Sequence, residues 1–196
     1  MNEIAQVHFC DLQVEGETWP VFGWTIATAD GTVLVDTGLI ESAPEIDDFE
    51  PVIVHDWRVP DAVAVVNTHL HFDHCGGNRR YAGVPTYVQR VELAAAVRPD
   101  YLEEWVHFPG ATYVELDGDA DLFSGVSVLF TPGHSVGHQV VVVETDAGRV
   151  VLGGDVTYSM RELIDGATES IQRVHALRPQ SVYLAHHERP WVPVYD

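Results

Sequence analysis

The segment that most constrains this chain is His69-Leu70-His71-Phe72-Asp73-His74, which follows the apolar run Ala62 to Asn67 and ends in Cys75-Gly76-Gly77-Asn78. A short, continuous apolar run suits a strand covered on both faces, so the segment belongs inside a layered α/β structure. Three imidazoles and a carboxylate at its end sit where water cannot fully solvate them, which is costly unless a cation or other partners satisfy them. Alternate residues of an extended segment point the same way, so His69 and His71 can face one position while the glycine turn lets Asp73 and His74 face a second. Imidazole nitrogen and carboxylate oxygen suit Zn²⁺, and also Mn²⁺, Fe²⁺ or Co²⁺.

The pattern of strand followed by polar loop recurs three times. Val126 to Phe130 runs into Thr131-Pro132-Gly133-His134, Val150 to Leu152 into Gly153-Gly154-Asp155, and Ser181 to Ala185 into His186-His187. Four strand ends with candidate ligands imply one shared rim, the usual place for catalytic groups in mixed α/β folds. His138 is expected on the wall of the site or at the start of the next strand. His8, His55, His107 and His175 are expected at ordinary surface or core positions. Cys75 is expected to pack in its turn. Asp36, in Val35-Asp36-Thr37-Gly38, reads either as a carboxylate orienting a ligand histidine or as a turn residue after a strand.

Elsewhere, Trp19 to Ala27 and Thr32 to Asp36 flank Asp30-Gly31, a hairpin signal. Residues 41–56, acidic and broken by Pro44 and Pro51, read mostly as loop. A strand at Pro85 to Gln89 precedes a helix from Val91 to Val97, closed by Pro99. Further strands are predicted at Thr112 to Leu116, Gln139 to Thr145 and the three apolar runs above. A last helix runs from Thr168 to Leu177, where Ile171, Val174 and Leu177 share a face and Pro179 forbids continuation.

One domain over residues 1–196 is expected, since 46% hydrophobic residues suffice for one sizeable core. The formal charge is −20, and all ten basic residues are Arg. Such a field repels phosphate, which argues against nucleic-acid or anionic-membrane partners. The start has no basic, apolar leader pattern, no stretch approaches the roughly 20 apolar residues of a span, and Cys10 and Cys75 show no framework spacing. The expectation is a soluble, cytoplasmic protein.

The stretches HLHFDHCGGN, TPGHSVGH, GGD and LAHH together resemble the metallo-β-lactamase superfamily, over most of the chain from VLVDTG onward. The resemblance implies a four-layer αβ/βα sandwich with two divalent metal ions at one edge. It implies one ion on His69, His71 and His134, the other on Asp73, His74 and His186, with Asp155 bridging. His186 fits the ligand position better than His187, which is left beside or outside the site.

Within that superfamily, zinc β-lactamases use Cys at the Asp155 position or lack the bridging carboxylate. Flavodiiron proteins carry Glu at the His71 position and an added flavin domain. The nuclease branch needs a cationic groove. Glyoxalase II-type thioesterases share all seven ligands but add basic residues on a C-terminal helical region, whereas this sequence has no Lys and continues ten residues beyond His186. The closer likeness is to N-acyl homoserine lactonases, carried by Phe72, the run His134-Ser135-Val136-Gly137-His138-Gln139, and Tyr158. It implies a small-molecule lactone or ester substrate opened by a hydroxide shared between the metals. Tyr158 would hydrogen-bond the carbonyl, Asp73 would shuttle the proton, and a homodimer is compatible. One departure stands out: the interval between Asp36 and His69 is shorter than in that branch, which carries an arm or lid there.

Overall fold

The structure, a computed structural model, describes residues 2–54, 57, 59, 61–99 and 101–195. The first sheet contains β1 (Glu3–Val14), β2 (Glu17–Thr28), β3 (Gly31–Val35), β4 (Val52–Ile53), β5 (Ala62–Val66), β6 (Pro85–Gln89) and β7 (Thr112–Leu116), in the order β4-β1-β2-β3-β5-β6-β7. The second contains β8 (Ala120–Phe123), β9 (Val126–Phe130), β10 (Gln139–Thr145), β11 (Gly148–Leu152) and β12 (Ser181–Tyr183), in the order β12-β11-β10-β9-β8. Both sheets are mixed: β3, β5, β6 and β7 run parallel, as do β11 and β12, while the other pairings are antiparallel.

The apolar runs have a simple cause. Along β10, Val141 and Val143 face the core between the sheets, while Val140 and Val142 face the opposite layer. In β5, Ala64 and Val66 point inward and Ala62 and Val65 outward. Strands covered on both faces need apolar residues at every position. The core between the sheets is built by Trp24, Ile26, Val33, Val35, Val128 and Leu152, among others.

Helices supply the outer layers. α4 (Met160–Asp165) and α5 (Glu169–Ala176) bury Leu163, Ile171 and Val174 on the second sheet. On the first sheet the covering residues include Leu39, Ile46, Trp57 and Trp105. They come from loops, a 3-10 helix at Pro44–Phe49 and α3 (Glu103–Val106). The expected four-layer sandwich is borne out.

Several expectations shift. Residues 41–54 are not only loop, because Pro44 starts the 3-10 helix and Val52–Ile53 pairs with β1. The first long strand, its hairpin partner joined through Glu15-Gly16, was not expected; both turn residues have positive φ, as a tight two-residue hairpin turn requires. The helix expected over Val91 to Val97 is α2 (Arg90–Ala95). The glycine turn after His74 is instead one helical turn, α1 (Phe72–Cys75), followed by a 3-10 helix at Asn78–Tyr81. Gly76 and Gly77 both have right-handed backbone there. Gly77 serves close approach: a Cβ would run into the Thr37 carbonyl.

Candidate metal centre

The expected ligands leave the ends of β5, β9, β11 and β12 and meet at one edge of the sandwich. Nε2 of His69, Nδ1 of His71 and Nε2 of His134 form a triangle with sides of 3.0, 2.9 and 3.1 Å. Four tetrahedral nitrogen ligands around Zn²⁺ would stand about 3.3 Å apart, so the triangle has nearly that size. Beside it, Nε2 of His74 lies 3.4 Å from Oδ2 of both Asp73 and Asp155. Oδ2 of Asp155 is also 3.3 Å from His186 Nε2 and 3.6 Å from His134 Nε2, which puts it between the two groups. Among the described residues, three sets meet the geometry of a cation site: His69 with His71 and His134; His69 with His74 and Asp155; and Asp73 with His74 and His186.

The surroundings fix which nitrogen each ring offers. Nδ1 of His74 donates to Asp36 Oδ2 at 2.8 Å, and Nδ1 of His186 donates to the Pro20 carbonyl at 2.9 Å. Nδ1 of His69 faces Thr68 Oγ1 at 3.2 Å, a hydroxyl that itself donates to Asp36. Each Nε2 is thereby turned toward the centre, the arrangement by which outer partners orient metal-bound imidazoles. Asp36 takes on the orienting role. It also accepts the Thr68 backbone N–H, in a left-handed backbone with φ of 59°. The loop it opens is zipped to the histidine segment, with Thr37 N–H on the His74 carbonyl and Gly77 N–H on that of Gly38.

Two buried polar atoms have no hydrogen-bond partner here: Nε2 of His74 and Oδ1 of Asp155. An unsatisfied buried polar group costs on the order of 1–3 kcal/mol, and two of them facing one cluster mark a place for a cation. The residues therefore fit a metal.

Charge agrees. Burial, then the positive charge of His74, holds His69 well below the usual imidazole range, and burial lowers His134 to about 4; both rings stay neutral and able to donate a lone pair. Burial works against ionising Asp73 and Asp155, yet neighbouring histidines outweigh it and push both carboxyls down. Burial likewise opposes charge on His74 and His186, but the carboxylates win and raise them, Asp155 foremost. The cluster as a whole attracts positive charge.

The residues expected to stay outside do so. His138 donates Nδ1–H to Thr131, and its Nε2 accepts the Asp155 backbone N–H at 3.2 Å; burial holds it neutral, at about 3. It is a support for Asp155. His187 donates to the Tyr158 carbonyl at 2.8 Å. Cys75 is buried, its thiol pushed up by burial and directed at the Leu70 carbonyl. His8 pairs with Asp11 and His175 donates to Leu163, both away from the centre, while His55 lies outside the described residues.

A cavity of about 350 Å³ opens on the centre, lined by Leu12, Val14, Trp19, Phe49 and Phe72 on one side and His71, Asp73, His134, Asp155, Tyr158 and His186 on the other. Of the five tryptophans only Trp19 lines it, its ring tilted against Tyr158 and His186 at ring distances of 5.2 and 5.3 Å. The Tyr158 hydroxyl is 3.0 Å from Nδ1 of His134. Burial, then Asp155 and Asp73, push its pKa up, so the phenol keeps its proton.

Comparison with known proteins agrees with this geometry. The pattern of the metallo-beta-lactamase superfamily matches residues 17–189. An N-acyl homoserine lactonase of Bacillus cereus is 34% identical over an alignment 169 residues long, which covers 74% of this chain and 67% of that one. The crystal structure of a quorum-quenching N-acyl homoserine lactone lactonase superposes with a TM-score of 0.80 at 29% identity, covering 94% of this chain and 91% of that chain. Another, of an N-acyl homoserine lactone hydrolase with the product N-hexanoyl-L-homoserine at its catalytic metal centre, gives 0.77 at 29% identity, over 94% and 92%. The chain belongs to the metallo-β-lactamase superfamily, and its histidine and aspartate clusters are those of a metal-dependent hydrolase.

Proposed function

We propose that the protein hydrolyses the ring ester of N-acyl homoserine lactones or related lactones with two divalent cations, Zn²⁺ foremost. His69, His71 and His134 would hold one, Asp73, His74 and His186 the other, and Asp155 would reach both. The observation that carries the reading is the junction of this donor set with an apolar cavity and the protonated Tyr158 hydroxyl. Its likeness to lactonases supports the choice of ester. When bound, such cations supply Lewis-acid activation of water and of a carbonyl oxygen.

The chain's own residues do the rest. With Nε2 of His134 committed to a cation, its ring proton sits on Nδ1 and donates to the Tyr158 oxygen. The phenolic O–H is then free to donate to the lactone carbonyl oxygen as negative charge builds on it. Asp73, kept ionised by His74 and His186, lines the cavity and can take a proton from the attacking water. The water oxygen bonds to the carbonyl carbon, the ring C–O bond breaks, and that proton passes to the departing ring oxygen. The product is an open-chain hydroxy acid. Leu12, Val14, Trp19, Phe49 and Phe72 would cover the acyl chain and exclude water.

The test is ring opening of acyl homoserine lactones by metal-replete protein, run beside a glutathione thioester and a β-lactam. Lactone turnover well above the other two is expected. Turnover of the thioester alone would move the protein to the glyoxalase II-like reading.

A further inference from the structure

Four carboxylates are buried among the described residues: Asp36, Asp73, Asp155 and Glu92. The first three belong to the metal centre or touch one of its histidines. Glu92 does neither, sits on α2 with no exposed surface, and has no arginine or histidine partner among the described residues. Removing an ionised carboxylate from water costs several kcal/mol, so its four hydrogen bonds call for an explanation.

Those bonds come from the histidine segment after β5, from Tyr101 ahead of α3, and from the loop after β9. Oε1 accepts the Leu70 N–H and the Tyr101 hydroxyl, both at 3.0 Å. Oε2 accepts the Ser135 hydroxyl and the Gly137 N–H, both at 2.8 Å. Leu70 lies between His69 and His71, and Ser135 follows His134. The Tyr101 ring packs on the His71 imidazole at 5.1 Å, so this hydroxyl contact also steadies that ring. Gly137 lets α2 come this near, since a Cβ there would overlap the Glu92 Cβ. One side chain thus clamps the first-sheet arm with two imidazoles to the second-sheet arm with the third.

We propose that Glu92 is the positioning residue of the three-imidazole half of the centre, as Asp36 is of the His74 half. Asp36 also reaches His69 through Thr68, but Glu92 accepts no hydrogen bond from Asp73, His74 or His186, so disturbing Glu92 leaves that half in place. This rests on the metal-centre reading above, and partners that orient ligands typically change metal affinity by about 10–100-fold.

The experiment titrates metal-free protein with Co²⁺ alone, following visible absorption and calorimetric stoichiometry, in wild type, Glu92→Gln and Ser135→Ala. Gln keeps the volume but turns an amide N–H₂ toward donors. Wild type is expected to take two equivalents. In Glu92→Gln one equivalent should weaken by about 10–100-fold and the other should hold. Ser135→Ala, which keeps the carboxylate, should shift the same equivalent by a smaller factor, and it decides the matter if Glu92→Gln does not fold. A general loss of stability would instead weaken both equivalents together, and that result, or unchanged affinities in both variants, overturns the role of Glu92. Wild type that takes up no Co²⁺ overturns the metal-centre reading itself and this proposal with it.

Discussion

Tyr158 and His138 show how single side chains divide the work at this edge. Tyr158 touches the cavity and, on the proposed reaction, donates only once charge develops. Tyr158→Phe should therefore lower kcat by roughly 10–100-fold, less than the loss of a fully buried oxyanion donor, with unchanged metal content by elemental analysis. An unaltered rate would remove the phenol from the reaction. His138 acts through Asp155. In the unfolded chain it protonates near the ordinary value of 6.5, while burial keeps it neutral in the folded protein down to about 3. The unfolded state thus binds the extra proton first, so stability is complete above about pH 6.5 and is lost as pH falls through that window, by up to about 1.4 kcal/mol per unit. His134, lowered to about 4, acts in the same direction. Metal-free protein should show a Tm that drops from pH 6.5 toward 4, with a shallower slope in His138→Gln. Equal slopes would mean that His138 is not the group responsible.

Elements differed in how plainly the sequence announced them. β6, β7, β9 and β10 stand where the β-rich runs place them, most plainly β10, whose Val140 to Val143 are covered on both faces and form an unbroken apolar run. β1 mixes Gln6, His8 and Asp11 with its apolar residues, and its pairing shifts between His8 and Cys10, so no clean alternation marks it. The candidate ligands were legible because the segments that carry them follow apolar strands. Their supports were not: Thr68, His138 and Glu92 act through tertiary hydrogen bonds, and a lone Glu in an Ala-rich helix looks like a solvent-facing residue. The short interval before His69 still contributes to the site, since its 3-10 helix sends Phe49 into the cavity, against Phe72 at 5.1 Å. Phe49→Ala should raise KM several-fold for long acyl chains and little for short ones, a contrast that steady-state kinetics over a chain-length series will read. A uniform change across the series would assign Phe49 to packing alone.

Across the whole molecule, thirty acidic residues against ten arginines set up a self-repelling field. Screening shortens from about 30 Å at 0.01 M salt to about 8 Å at 0.15 M. The Tm of metal-free protein should rise over that range, and the rise should shrink once cations occupy the cluster and offset its local charge. Calorimetry at matched pH measures both, and a metal-free Tm that falls with added salt would contradict the account. The same field draws divalent cations toward the rim and holds anionic esters off.

His69, His71, Asp73 and His74 hang from the first sheet, whereas His134, Asp155 and His186 hang from the second. A cation shared between them would act as a rivet through the seam of the sandwich, and the two sheets could not part without letting it go. The rate at which a chelator strips the protein would then report how often that seam opens.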